Sequence, residues 1–355
     1  SFLGDCQLRY ELYRDQATAL VSRLERLEQE CRGRELPHGI FEQLAALVST
    51  LSGVPFARGV ILEGAGYDPD PYLAAAPLPG GLTSVVIVSH DAIAKTRRCL
   101  EALRGAWDPA YPTEIVVVDN GSTDGSIAFL EKQPDVKLIA TGENLGAPRA
   151  RNRAIPVTRG DWIVFMDNDA VVTPGWLARL RYHADVDPVV GCVCPQSDRA
   201  SHGQQIAYEG GDSFEAINAF ADHLAGRQRR RARYGFLFSS FCVLVRRAVI
   251  DRIGGFDERF SPWGFEDDDF ALRVQLSGFR VRVALDVFVR HETYSGPKLD
   301  RHEQLLLRNW RRFAEKWGEG RSVPEYGNYD LLAQTLERRW SDRELHVPLE
   351  AAIGG

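Results

Sequence analysis

The sequence predicts an α/β fold with a mainly parallel central sheet flanked by helices. Strand-length apolar runs alternate with helical segments, the runs are apolar on both faces, and the loops after them are polar. TSVVIVSH (83–90) is read as the first strand, followed by a helix near 95–104. EIVVVDN (114–120) is the second, with a helix that starts at Ser122 or Thr123 and ends before Pro134. VKLIA (136–140) is the third, APRARNRAI (147–155) a short helix with proline in its first turn, and DWIVFM (161–166) the fourth strand.

Upstream, residues 1–63 are expected to form a helical N-terminal region. Leu8, Leu12, Leu20, Leu24 and Leu27 recur at helical spacing over 5–31, and Pro37 opens a second helix over 37–51. The repeat is too short for a coiled coil, so a hairpin packed on the main domain is the plainer expectation, with dimerisation or docking as the functional alternative. Residues 64–81, rich in Gly, Pro and Ala, read as a linker. The main domain is expected over 82–296, with a C-terminal helical segment and tail over 297–355.

With 355 residues, 44% of them hydrophobic, the chain has enough apolar material for a sizeable core. A net charge of −6 argues against nucleic acid as a partner and against broad attraction to anionic lipid. No apolar run is long enough to span a bilayer and SFLGDCQLRY lacks a signal-peptide pattern, so a cytoplasmic location is expected, with peripheral membrane contact left open. Cys6, Cys31, Cys99, Cys192, Cys194 and Cys242 are expected as free thiols; Cys192 and Cys194, two apart on a strand, share one face as small buried hydrophobes.

Ligands of such sheets bind at the carboxyl ends of the strands. The loops there read SHDA (89–92), DNGSTDGS (119–126), GENLGAP (142–148) and DNDA (167–170). Helix capping accounts for the hydroxyls of the second loop but not for Asp119 at the strand's end. A glycine-rich dinucleotide turn and a P-loop are both absent, which leaves a nucleotide site built from carboxylates. Such a site makes electrostatic sense with a divalent cation between carboxylate and diphosphate, and Asp167 and Asp169 are suited to hold it. Acids in turns after strands are common, so D-x-D by its spacing is a weak signal. Four consecutive acids, Glu266 to Asp269, follow SPWGF; a helix dipole favours some of them, and crowding should raise the pKa of at least one.

In order and spacing, VVIVSHDA, IVVVDNGSTDGS, ENLGAPRARNRAI and DWIVFMDNDAVV resemble the family-2 glycosyltransferases of the GT-A fold. GGFDERFSPWGFEDDDFALRV (254–274) resembles the acceptor-side segment of that superfamily, and WGFEDDD is similar to the W-G-G-E-D pattern of galactosyl- and N-acetylgalactosaminyl-transferases, with Phe265 in place of the second glycine. VRHETYS (289–295) and NWRRFAEKWG (309–318) resemble the family's late histidine and C-terminal helix; the resemblance runs from about Leu82 to Gly318.

The resemblance implies a metal-dependent, inverting glycosyltransferase using a nucleotide-diphosphate sugar, with a UDP-linked hexose favoured by WGFED. It implies that Asp119 reads the base, that Asp167 and Asp169 face the ribose and the metal-bound diphosphate, and that His291 is a third metal ligand. Imidazole suits Mn²⁺ better than Mg²⁺. Ser89, Asn144, Arg149 and Arg151 fall on the donor side of the pattern. The second acid of the E-D pair, Asp267, is implied as the base, with Glu266 positioning the acceptor. Trp263 is read equally as a stacking surface for a sugar or as core. RQRRRAR (227–233) is read as a solvated loop between the halves of the site, with a grip on an anionic acceptor, a lipid-linked pyrophosphate or a membrane surface, or closure over the donor diphosphate, as the alternatives. The acceptor stays open among saccharide, lipid-linked sugar, peptide and small molecule. The rival readings are a sugar-1-phosphate nucleotidyltransferase, whose basic glycine-rich loop SHDAIAKT does not supply, and a non-catalytic protein of the same fold.

Overall fold

The computed structural model describes residues 81–292, 299–318, 327, 329, 335 and 338–349. The expected N-terminal helices, all of the linker but Gly81, Cys6, Cys31 and parts of the C-terminal tail lie outside the described residues.

The strands are β1 (Thr83–Ser89), β2 (Thr113–Asp119), β3 (Val136–Ala140), β4 (Trp162–Asp167), β5 (Ala170–Val171), β6 (Val190–Gln196), β7 (Ala232–Gly235), β8 (Cys242–Arg246), β9 (Arg280–Phe288) and β10 (Arg290–His291). Around them lie α1 (Ile93–Gly105), α2 (Ser126–Leu130), α3 (Ala147–Ala154), α4 (Trp176–Asp185), α5 (Phe214–Arg227), α6 (Arg247–Ile253), α7 (Glu266–Leu276), α8 (Leu299–Trp317) and α9 (Asp342–Leu345). Among the described residues no helix is long and apolar enough to cross a membrane.

The large sheet has the order β3-β2-β1-β4-β8-β6-β9-β7, and β5 pairs with β10 in a separate ribbon. β1 to β4 pair in parallel throughout, whereas β8 is antiparallel to β4 and to β6, and β7 is antiparallel to β9. The first strands are continuous apolar runs because each face is covered: Val86, Val116, Ile163 and Phe165 enter one core, and Ile87, Val117, Val164 and Met166 the other. The chain steps outward from β1 to β3 and then returns to β4 on the other flank of β1, so a switch point opens at the carboxyl ends of β1 and β4.

Two expectations about local structure are corrected. The second helix begins at Ser126, not at Ser122 or Thr123, because the earlier residues are latched to the neighbouring loop. Asp91 Oδ1 accepts from the Thr123 backbone N–H at 2.6 Å, Ser122 Oγ accepts from the Asp91 N–H, and Asp124 Oδ2 accepts from the Ile93 N–H that opens α1. Nor is the arginine run a loop between halves of the site: Arg227 ends α5, a tight turn follows, and Ala232 begins the edge strand β7. Within that turn Arg230 donates its N–H to Asp286 and lies over the Tyr182 ring. Cys99, Cys192, Cys194 and Cys242 are free and buried, and Cys192 and Cys194 enter one core cluster while Val193 between them enters the other.

Phe265 explains its place in the W-G-x-E-D stretch. It adopts φ 71°, a left-handed conformation that favours glycine, at the N-cap of α7. The strain, roughly 1 kcal/mol, is offset by its ring, which is 6% exposed and packs on Trp310 and Phe313 of α8. Phe265→Gly therefore relieves the backbone but removes the ring, and the net loss is expected at about 2–4 kcal/mol in urea denaturation. A variant as stable as the wild type would mean that the ring does not anchor α8 to α7.

Candidate active site

Where β4 runs out, Asp167 and Asp169 flank a turn that leads into β5. β5 pairs antiparallel with β10 so that His291 stands opposite Ala170, and the Glu292 N–H closes the ribbon on the Asp169 carbonyl at 3.1 Å. This pairing brings His291 Nε2 to 3.3 Å from Asp169 Oδ1 and 3.7 Å from Asp167 Oδ2. The three ligand-type atoms lie within 4.8 Å of one another. His291 Nδ1 sits 2.8 Å from the Arg199 carbonyl, to which it donates, and the ring stacks on Phe241. Orientation by a backbone carbonyl, with Nε2 turned toward two carboxylates, is the arrangement a histidine ligand needs, so one nitrogen and two carboxylates fit a divalent transition ion.

Burial alone would raise the Asp169 carboxyl, but the His291 ring and the Lys95 ammonium outweigh it and hold it below its ordinary value. Lys95 Nζ donates to Asp169 Oδ2 at 3.0 Å and to the Glu292 carbonyl at 2.7 Å. His291 moves the other way: burial opposes its charge, and the Asp169 and Asp167 carboxylates overcome that and raise it.

Behind this cluster Asn168 Nδ2 donates to Thr96 Oγ1 at 2.9 Å, and Thr96 and Ser89 share a hydrogen bond of 2.7 Å. Ser89, expected on the donor side, has no exposed surface; its hydroxyl bonds Thr96 Oγ1 and receives Asn168 Nδ2 at 3.4 Å, which braces the D-x-D turn from within. Asp119 is equally enclosed: Oδ1 accepts from the Ser122 N–H at 2.9 Å, while Oδ2 is buried without a partner among the described residues. Asn144 Oδ1 accepts from Asn120 Nδ2 and from the Gly146 N–H, which pins the 142–146 loop to the end of β2. At Gly146, φ is 83° and a Cβ would stand 2.6 Å from Pro262 Cα, so only glycine lets this loop meet the segment that leads to α7. The Ala147 N–H donates to the Pro262 carbonyl at 2.7 Å.

The four acids of the first turn of α7 fan out to four different surroundings. Glu266 Oε1 lies 3.5 Å from Arg151; Asp267 Oδ2 accepts from the Ser240 N–H at 3.3 Å; Asp268 Oδ1 pairs with His202 at 2.9 Å; and Asp269 is fixed by Arg273 at 2.8 Å and Trp317 Nε1 at 3.0 Å. Asp269 is thus a structural anchor. Arg151, expected on the donor side, is buried between the two sides of the site: Nη2 donates to Asp167 Oδ1 at 2.9 Å and Nη1 to Ser240 Oγ at 2.9 Å. Arg149 is exposed and bonds Glu258 at 2.7 Å. Trp263 is half-buried, and its carbonyl is held by Asn309.

Crowding acts as the sequence suggests. Burial, then the charge of Asp267, raises Glu266 from 4.5 to about 8, against the pull of Arg151. Burial, then Asp268, raises Asp267 from 3.8 to about 6, with His202 and Arg151 opposing. At neutral pH Glu266 keeps its proton and Asp267 is mostly ionised, so only Asp267 is ready to accept one. Sequence reasoning missed Lys95, Ser240 and His202. Lys95 was legible in principle, being in the first turn of the helix that follows β1; the other two come from loops with no local signal.

Residues 84–254 match the family described as Glycosyl transferase family 2, and residues 228–293 match the N-terminal domain of galactosyltransferase. An N-acetylglucosaminyl-diphospho-decaprenol L-rhamnosyltransferase of Mycobacterium tuberculosis is 29% identical over 238 residues, covering 59% of this chain and 76% of its own. Human polypeptide N-acetylgalactosaminyltransferase 14 is 24% identical over 287 residues, covering 75% of this chain and 50% of its own. Of two further curated relatives the chain spans 24% and 57% of the length. The solved mannosyltransferase PcManGT of Pyrobaculum calidifontis, in complex with GDP-Man and Mn²⁺, superposes with a TM-score of 0.50 at 20% identity, over 83% of this chain and 81% of that one. The fold is that of the GT-A glycosyltransferases.

A raised carboxyl stabilises the folded state while it stays protonated, and that contribution is lost as pH climbs through the folded value. Glu266→Gln is expected to match the wild type near pH ~5 and to exceed it by roughly 2–4 kcal/mol near pH ~9 in urea denaturation. A difference that does not change with pH would contradict the assignment of the buried proton to Glu266.

Proposed function

We propose that this chain, whose residues 84–254 match glycosyl transferase family 2, is a metal-dependent, inverting glycosyltransferase that moves a hexose from a UDP-linked donor to an acceptor hydroxyl. One observation carries this reading: the Asp167–Asp169–His291 cluster and the Glu266–Asp267 pair meet at one sheet edge, joined through Arg151. The Mn²⁺ and nucleotide sugar named with the solved mannosyltransferase support it further.

Asp167, Asp169 and Nε2 of His291 would hold the cation, with Mn²⁺ favoured over Mg²⁺ by the imidazole. Bound there, it supplies Lewis-acid neutralisation of the charge that grows on the leaving diphosphate. The orphaned Asp119 Oδ2 suits the imide N–H of a uracil, a donor that would relieve a buried oxygen costing about 1–3 kcal/mol when unpaired. Meeting it requires a local opening around Asp119, which is enclosed.

At the acceptor, Asp267 takes the proton of the attacking hydroxyl, and the Ser240 N–H holds its other oxygen in place. Glu266, protonated, donates a hydrogen bond that positions the acceptor. Attack on the anomeric carbon from the face opposite the diphosphate inverts its configuration. Trp263 offers a half-buried ring to the acceptor sugar.

Asp267→Asn should keep donor binding and lose at least about 10²-fold in kcat. The acid limb of the wild-type kcat/KM profile should fall near pH 6, where Asp267 titrates; an Asn variant with wild-type turnover removes the mechanism. Asp169→Ala should abolish the Mn²⁺-dependent part of UDP binding in calorimetry, and binding that is the same with and without Mn²⁺ in both proteins would remove the metal assignment.

A further inference from the structure

The segment 197–206 touches both sides of the site. Its Arg199 carbonyl receives His291 Nδ1–H, and three residues later His202 Nε2 lies 2.9 Å from Asp268 Oδ1. His202 has φ 53° and is followed by Gly203 at φ 74°, two consecutive left-handed residues. A histidine held there is strained and persists only where the surroundings over-determine it. They do: Gln204 is fully buried, its Oε1 accepts from the Ser239 N–H at 2.7 Å, and its amide reaches the Pro195 and Ser239 carbonyls. The next residue, Ser240, gives its N–H to Asp267. The anchor that fixes the loop therefore also fixes the donor to Asp267, and the strained residue points its ring at the neighbouring acid.

We propose that His202 is a positioning residue for the acceptor base: by neutralising Asp268 it leaves Asp267 as the carboxylate of the α7 turn that takes the proton. This rests on the reading of Asp267 as the base. The charged and titratable groups around Asp267 are Glu266 and Asp268 on its own helix, Arg151 on α3, Cys194 on β6 and His202, while the Tyr329 hydroxyl contacts Asp268 at 3.3 Å. Arg151 already serves Asp167 and Ser240, and Asp269 is committed to Arg273. His202 is the cation in contact with Asp268 among the described residues. Burial disfavours its charged form, but Asp268 and then Asp267 outweigh burial and raise its pKa, so it is poised to carry charge when Asp267 works as a base.

The test is the pH dependence of kcat/KM in the wild type and in His202→Gln, Asp268→Asn and the double variant, alongside Mn²⁺-dependent UDP affinity. Loss of the His202 charge leaves Asp268 uncompensated beside Asp267, so the acid limb of His202→Gln should move up by about one pH unit. Asp268→Asn removes the repelling charge and should move the limb down, and the double variant should follow Asp268→Asn. UDP affinity should be unchanged throughout. Opposite shifts do not arise from loosened packing, so a limb that stays in place in both single variants overturns the proposal. So does an equal fall in UDP affinity and in turnover at every pH, which would mark His202 as a structural support of the loop. A wild-type profile without an acid limb strikes first at Asp267 as the base and takes this proposal with it.

Discussion

The guanidinium of Arg151 lies between a carboxylate at the end of β4 and a carboxyl at the start of α7, and the charge balance of the whole sheet edge depends on that placement. Two like charges about 4 Å apart repel by on the order of 4 kcal/mol at the effective dielectric of a protein surface. Asp167, Asp169, Glu266, Asp267 and Asp268 occupy one neighbourhood, so uncompensated repulsion would exceed the marginal stability of a domain. The protein answers with few cations and with protons. Where the cation is near, the charged form wins: Lys95 at 3.0 Å and His291 at 3.3 Å hold Asp169 ionised despite burial. Where it is far, burial wins: Arg151 at 3.5 Å does not keep Glu266 charged. The division of labour proposed for Glu266 and Asp267 follows from that contest.

Backbone pairing sets the distances on which the contest turns. The two-residue ribbon of β5 and β10 pairs Ala170 with His291 and Val171 with Arg290, residues far apart in the sequence, and without it His291 would have no reason to face Asp169. On the other flank Gly146 admits the Pro262 backbone, and Phe265 accepts a left-handed turn so that its ring can lock α7 against α8. Each device spends local conformational ease on a long-range position, a trade expected at a functional site.

Much of this was legible beforehand. Continuous Val and Ile runs define β1 to β4 because burial on both faces leaves no alternation to confuse with a helix, and acids one residue apart at the end of such a run stand at the edge where ligands bind. The resemblance to a known family added His291, which no local pattern would have joined to a site 120 residues earlier. What was not legible is the use of side chains by distant loops. Ser122 and Thr123 looked like helix caps and serve Asp91, and no local pattern shows that Ser89 braces Asn168 or that Arg151 is buried beside carboxylates from two elements. Phe265, an apparent departure from the family pattern, is a position where backbone and packing disagree and packing prevails.

The proposed mechanism stands on one cation and one carboxylate base sharing a single cleft at this edge. Anomalous diffraction at the manganese absorption edge, from crystals grown with MnCl₂ and UDP, addresses it directly. One strong peak is expected, coordinated by Asp167, Asp169 and His291 Nε2, with the UDP diphosphate bound to it on the side that faces Asp267. A manganese peak held by other residues, or a diphosphate lying on the far side of the sheet from Asp267, would contradict it.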